Sequence, residues 1–461
     1  MKRRDFIKQI GAGATLTAMA ACSGGKPAAS QPKEPGTMTC RQGPGGKPVS
    51  LLGYGCMRWP TTTDAEGNNV IDQEQVNALV DYALEHGVNY FDTAPVYGRG
   101  ESERVTGIAL KRHPRETYQI ATKLSNQRDH WKKEEALQMY RHSFEALQVD
   151  YIDYYLLHSV GGSSGNLGGM DVLRERFFNN GILEFLLKER EAGRIRHLGF
   201  SFHGDQKVFD HLLTLHDEYN QAGRQLWDFV QIQMNYVDWK HAQILSKRNV
   251  NAEYLYGELE RRGIPVVIME PLLGGRLANL PQHAVDTLLQ HAPGASVASW
   301  AFRFCGSHPG VLTVLSGMTY QEHLVDNLST FCPLDPLTES DLALLEKIAD
   351  DYVRFPLIPC TDCKYCMPCP YGVDIPGVFM HYNKCVNEDY IEEDRQDPGY
   401  RKARRAYLVS LDRGLPKLQQ ADHCIGCAQC VEACPQHIAI PGQMRRIEAF
   451  TEQLRQDQSP L

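Results

Sequence analysis

The sequence predicts an α/β fold: a (β/α)8, or TIM, barrel followed by a small, mostly α-helical module built around clustered cysteines. Three observations carry this. Between Pro48 and Leu328 short apolar runs alternate with amphipathic stretches eight times, and repeated strand–helix–strand order demands parallel pairing with crossovers. The 461 residues exceed one ordinary domain, yet they suit a closed barrel of ~250 residues or more with an appendage. Nine of the fourteen cysteines fall between Cys360 and Cys434, which points to metal rather than to disulfides spread through a fold. An open doubly wound sheet is the competing architecture, but no GxGxxG follows an early strand.

From the N-terminus, residues 1–22 read MKRRDFIKQIGAGATLTAMAAC. A charged start precedes a Gly/Ala-rich run, Ile10 to Ala21, that is too short to span a bilayer. Arg3-Arg4 followed by Asp5-Phe6-Ile7-Lys8 resembles a twin-arginine export signal. Met19-Ala20-Ala21-Cys22 resembles a lipoprotein cleavage box with an atypical first residue, and ordinary cleavage near Ala20 is the alternative. The expectation is therefore an exported protein, periplasmic or anchored as a lipoprotein, whose only membrane contact is lipid on Cys22. Residues 23–37, SGGKPAASQPKEPGT, form a tether without core-forming capacity. A net charge of −8 and the lack of any basic tract argue against a nucleic-acid partner.

The barrel is expected over residues 38–345. Its strands are predicted at Leu51–Cys56, Asn89–Ala94, Tyr118–Lys123, Tyr151–His158, Ile195–Ser201, Phe229–Tyr236, Pro265–Leu272 and Val311–Gly317. Helical patterns lie between them, such as Gln73–His86 and Glu134–Gln148; the second places Leu137, Tyr140, Phe144 and Leu147 on one face. Residues at strand C-termini point into a barrel's site. Here strand two ends FDTA and runs into VYG, strand three ends ATK, and strand four ends LLH. Asp92, Tyr97, Lys123 and His158 thus meet at one rim.

These four side chains suit proton transfer to a carbonyl oxygen. A free phenol, with a pKa near ~10, is poorly matched to neutral pH. An adjacent ammonium favours phenolate, a carboxylate holds the lysine, and an imidazole orients the oxygen. The expectation is a Tyr97 phenol tuned downward by Lys123. Taken singly, each residue has an ordinary explanation, Tyr97 as a rim aromatic and Asp92 with Lys123 as a structural ion pair.

FDTAxxYG, ATK and LLH, in this order and spacing, resemble the aldo-keto reductase family, as do LLGYGCMRWP, GESERVTGIAL and GFSFHG. The resemblance implies NAD(P)H-dependent reduction of an aldehyde or ketone, or the reverse oxidation of an alcohol. It implies Tyr97 as acid/base, Lys123 and Asp92 as its tuners, and His158 as orienter. It also implies nucleotide contacts at Gly55, Asp92, Ser201 and Gln231, with Asn235 nearby. Leu272 and Gly274 fall in a loop resembling the one that covers the pyrophosphate, and Gly317, Asp326 and Asn327 in an adenosine-side clamp. Departures from the family pattern are Met269 where many members stack a tyrosine, Phe202 for an asparagine, and His323 for the arginine that grips a 2′-phosphate. A neutral imidazole does not replace a bidentate guanidinium, so a strong NADPH preference is not expected.

The last segment, residues 346–461, carries Cys360-x2-Cys363-x2-Cys366-x2-Cys369-Pro370 and Cys424-x2-Cys427-x2-Cys430-x3-Cys434-Pro435. Two-residue spacing lets three thiolates converge on one iron–sulfur cube, while the cysteine before proline serves the other cube in two-cluster ferredoxins. The pattern resembles a ferredoxin-like module with two 4Fe–4S clusters. It implies Cys360, Cys363, Cys366 and Cys434 on one cluster and Cys424, Cys427, Cys430 and Cys369 on the other. Paired zinc sites are the alternative. Cys385, Cys40, Cys56, Cys305 and Cys332 read as structural.

Export and clusters explain each other, since clusters are inserted before a folded protein leaves the cytoplasm. Hydride carries two electrons and each cluster accepts one, and no flavin motif is present to split the pair. Two functions follow: an oxidoreductase wired by its clusters to an electron-transfer partner, or an iron–sulfur docking protein whose barrel binds a ligand without hydride chemistry. The intact tetrad favours the first. Purely structural clusters are a third reading.

Overall fold

The computed structural model describes residues 36–461 apart from residues 127–130, 165, 246–248, 355–356, 393 and 458–461. The N-terminal signal and lipidation expectations, and Cys22, lie outside the described residues. The described residues belong to one compact unit. Among the described residues no helix is long and apolar enough to cross a membrane.

Eight parallel strands close into a barrel: β1 (Leu52–Gly55), β2 (Tyr90–Asp92), β3 (Gln119–Leu124), β4 (Ile152–Val160), β5 (Ile195–Phe202), β6 (Phe229–Gln233), β7 (Val266–Met269) and β8 (Val311–Ser316). Each pairs with its neighbour in sequence, and β8 closes on β1. All eight expected strands form. The sixth and seventh end earlier than their apolar runs suggest, because Met234–Tyr236 and Pro271–Leu272 leave the ladder as rim loops. A short hairpin missed in the sequence, Cys40–Gln42 against Pro48–Ser50, lies at the other end of the barrel. It inserts Val49 among inward residues such as Ala121, Tyr154, Leu156 and Phe229, so a packed core, not a channel, fills the interior.

The outer helices bury apolar stripes against the strands. α1 (Gln73–Glu85) starts on Asp72, whose side chain accepts from the Gln75 amide. α2 (Ser102–Leu110) packs on α3 (Lys133–Leu147), where Tyr140 and Leu147 are buried as expected. Gly107 makes that approach possible: a Cβ there would lie 2.6 Å from the Ala146 carbonyl oxygen and 2.7 Å from Leu147 Cα. Gly107→Val should therefore destabilise the barrel by about 1–3 kcal/mol, read as a lower denaturant midpoint with an unchanged slope.

The barrel's hydrophobic core runs through Tyr352, and a second core begins at Ile358 and continues to Leu454. The second is built by helices Ile375–Asn387, Tyr400–Gly414 and Ile440–Gln456. Cys385 is buried within it, 1% exposed. Cys40, read as structural, is instead exposed on the N-terminal hairpin.

Candidate active site

The four tetrad residues converge at the C-terminal mouth of the barrel. Asp92 ends β2, level with Gly55 of β1 and Ala121 of β3. Lys123, on β3, lies level with the inward Leu156, so its side chain enters the barrel. Its Nζ donates to Asp92 Oδ1 at 2.5 Å and to the Thr93 carbonyl at 2.8 Å, both side chains being almost fully buried. The same ammonium stands 4.9 Å from the centre of the Tyr97 ring. Tyr97 reaches the site because Gly98 and Arg99 follow it in left-handed conformation, at φ 56° and 59°, which turns the chain sharply away.

His158 sits edge-on to Tyr97, with ring centres 6.0 Å apart, and its Nδ1 is 2.5 Å from Ser125 Oγ. β4 changes register between Leu157 and Val160, and such an irregularity re-aims a side chain at a barrel rim. Arg176 holds the kink, donating to the carbonyl oxygens of His158 at 2.8 Å and Ser159 at 3.2 Å. Arg176 lies on a single π-helical turn, Arg174–Phe178, and nothing in the sequence marks it.

Burial, reinforced by Lys123 and Arg176, pushes the His158 imidazole well below its ordinary 6.5, so the ring is neutral. Asp92 is pushed up by burial and pulled back by Lys123. The tuning expected for Tyr97 is corrected. Its phenol is raised well above 10, first by burial and then by Tyr365 and Asp92. Lys123 spends its protons on Asp92 and Thr93 and offers the ring face a charge, which leaves desolvation in command.

The expected nucleotide contacts divide into three groups. Ser201 and Gln231 are paired neighbours on β5 and β6, level with Val267, which faces the interior. Ser201 Oγ accepts the Ser159 amide at 2.8 Å. Gln231 Oε1 and Asp92 Oδ2 are buried with no hydrogen-bond partner among the described residues, and buried polar atoms of this kind call for a ligand or water. This fits a carboxamide-bearing cofactor. Asp326 and Asn327 are engaged in the fold, Asp326 accepting from Ser296 and Asn327 donating to Ser316 Oγ, each at 2.8 Å. Asn235 is likewise consumed, bonding the Val237 and Asp238 amides, the Asp238 carboxyl and the Glu270 carbonyl.

The third group meets the cysteine module. Leu272 is half-buried against the barrel core, while a Cβ on Gly274, at φ 68°, would come 2.4 Å from Thr361 Cα. The loop expected to cover a pyrophosphate thus packs on the segment between the first two cysteines. A Cβ on Gly317 would meet Arg58 Cδ at 3.0 Å, and the Arg58 guanidinium donates to the Thr361 carbonyl and pairs with Asp362 at 3.3 Å. Further links are Gln436 to Gln233 at 2.9 Å and Arg276 to the Ile358 carbonyl at 3.3 Å. Glu270, left-handed at φ 55°, is raised by burial against the pull of Arg58. None of Arg58, Glu270 or Tyr365 was singled out in the sequence. Arg58 ends the short 3-10 turn, Cys56–Arg58, that follows β1, and Tyr365 is the one aromatic between the cysteines of the first motif.

The eight cysteines line two adjacent cavities. One, of about 140 Å3, has Cys369, Cys424, Cys427 and Cys430 in its wall, and the other Cys360, Cys363 and Cys434, with Cys366 bordering both. All eight thiols are free. Asp362 and Lys364 are left-handed at φ 53° and 64°, which folds the loop so that closely spaced thiols face one space. Among the described residues no three ligating side chains close on a single ion; cavities walled by four thiols suit a cube better than tetrahedral zinc.

The Aldo/keto reductase family profile matches residues 51–350, and a 4Fe-4S dicluster domain profile matches residues 359–439. The chain is 38% identical over 122 residues to "Probable aldo-keto reductase 1" of Glycine max, covering 25% of this chain and 34% of that one. It is 24% identical over 327 residues to "Uncharacterized oxidoreductase YqkF" of Bacillus subtilis, covering 65% and 92%. The chain thus spans about a third of the soybean relative's length, and nearly all of the bacillus one's. Among solved structures, an aldo-keto reductase from Klebsiella pneumoniae in complex with NADPH superposes with a TM-score of 0.51 at 24% identity, covering 69% of this chain and 96% of that one; at that identity the likeness is one of fold.

Proposed function

Since the chain belongs to the aldo/keto reductase family, we propose that it is an NAD(P)-dependent oxidoreductase that reduces a small aldehyde or ketone, or oxidises the corresponding alcohol. The observation that carries this is the meeting of Tyr97, Lys123, Asp92 and His158 at one barrel mouth. A nicotinamide dinucleotide, when bound, supplies or accepts the hydride. Tyr97 holds the proton for the carbonyl oxygen at its hydroxyl. Lys123, fixed by Asp92 and Thr93, stabilises the negative charge left on the phenol once the proton moves. His158, neutral, orients the oxygen without competing for the proton. Ser201 and Gln231 are suited to hold a carboxamide, Gln231 with an acceptor otherwise unsatisfied.

The interleaved cysteine sets would hold two 4Fe–4S clusters, which would supply one-electron exchange with a partner protein. Arg3-Arg4 and Cys22 support export by the twin-arginine route and lipid attachment. The test is turnover of a panel of aldehydes by the iron-loaded protein with NADPH or NADH, followed at the nicotinamide absorbance. The expected result is reduction with either dinucleotide, NADPH holding no strong advantage because His323 stands where an arginine is usual. No turnover with either would leave only the cluster-bearing module to explain.

A further inference from the structure

Resting on that reductase reading, we propose that Tyr365 is a specificity-determining residue of the same site: its hydroxyl holds the place at Tyr97 that a substrate oxygen must take, and its ring roofs the substrate. Tyr365 lies between Cys363 and Cys366, both in the wall of the cavity assigned to the first cluster. Yet its side chain leaves that cavity and hydrogen-bonds the Tyr97 hydroxyl, with Asp92 and Glu270 as its charged neighbours. A residue of the iron–sulfur module thus completes the barrel's mouth.

The position is enforced. Arg58 grips the Thr361 carbonyl and Asp362, and Thr361 lies against Gly274 too closely for any side chain there. Thr361 is thus held against the rim loops after β1 and β7, and four residues later Tyr365 reaches Tyr97 in the loop after β2.

A proton donor delivers its proton to the oxygen it hydrogen-bonds. In the resting protein the partner of Tyr97 is the oxygen of Tyr365, a hydroxyl like that of an alcohol product. A substrate carbonyl therefore enters by exchanging one hydrogen bond for another, and a phenol ring held at Tyr97 would limit the bulk it carries. The class favoured is small and unbranched around the carbonyl.

The experiment uses the iron-loaded full chain, wild type beside Tyr365→Phe and Tyr365→Ala, with NADPH, straight-chain aldehydes and benzaldehyde, after iron and sulfide content are matched. Tyr365→Phe keeps the roof and removes the competing hydroxyl. KM for the straight-chain aldehydes should fall roughly 2- to 10-fold, the worth of one net hydrogen bond, with kcat unchanged. Wild type should turn benzaldehyde over poorly, and Tyr365→Ala should admit it. A lower kcat at constant KM in Tyr365→Phe would place the hydroxyl in proton delivery and overturn the proposal, as would unchanged constants in both variants. Tyr97→Phe separates the two levels: if it abolishes turnover while the Tyr365 variants change nothing, only this inference falls. If Tyr97→Phe retains turnover, or wild type reduces no probe, the reductase reading falls and takes the inference with it.

Discussion

Tyr97→Phe should lower carbonyl turnover by roughly two to four orders of magnitude, the usual worth of a positioned general acid, while dinucleotide affinity stays within a factor of about two. The substitution is selective. It keeps the ring over which Lys123 stands at 4.9 Å and against which His158 packs edge-on, so the mouth retains its shape. What disappears is the proton source, together with its hydrogen bond to Tyr365. The pH profile gives a second test. An acid is competent while it holds its proton, that is, below its pKa, and burial raises the Tyr97 phenol above 10. The imidazole serves while neutral, that is, above its own pKa, and burial lowers His158 below 6.5. Both conditions hold between those limits, so kcat/KM for reduction should be flat from 6.5 to 10. The reverse oxidation needs the phenolate as base and should rise toward alkaline pH. A descending limb near neutrality in the reduction profile would show that the bound cofactor or substrate lowers the phenol as Lys123 was first expected to do, and the desolvation argument would be wrong.

The barrel was legible because strand and helix periods alternate without interruption, and because parallel strands buried on both faces leave few other solutions. The tetrad was legible for a related reason: FDTA, ATK and LLH fall at equivalent strand ends, and strand ends share one rim. What escaped was set by contacts distant in sequence. Arg58 and Thr361 meet across some 300 residues, and no periodicity connects them. The sign of the Tyr97 shift escaped for a physical reason. A sequence names the ammonium beside a phenol but not how completely water is removed from both, and here Lys123 is 1% exposed. Gly274 was read as a phosphate-loop glycine; its positive φ was foreseeable, but the backbone lying against it belongs to the appended module, whose docking no local pattern encodes.

The two cavities make an interleaved assignment that pairs of serine substitutions decide by counting iron. Cys434 shares its cavity with Cys360 and Cys363, whereas Cys369 shares the other with Cys424, Cys427 and Cys430. On the proposed interleaved assignment, each cysteine before a proline would serve the cluster of the opposite motif. Two filled cubes hold about eight irons per chain, and loss of one ligand set leaves about four. Cys434→Ser alone lowers the count whichever cube it serves, so the single variant is uninformative. Combined with Cys424→Ser it should remove both cubes, leaving iron near zero; combined with Cys360→Ser it should strike one cube twice and leave about four irons. Assignment by motif, each run of four cysteines holding its own cube, demands the opposite pair of counts. The first double variant should also be the less stable, because it empties both cavities and the second hydrophobic core lines both. Its loss of metal removes the cross-links on which a module of this size depends, and proteolysis should then cut between residues 358 and 454 while residues 51–350 survive as a folded barrel. An intact module after loss of both cubes would mean that its helices pack without the clusters, and the metal would then be cargo for electrons and nothing more.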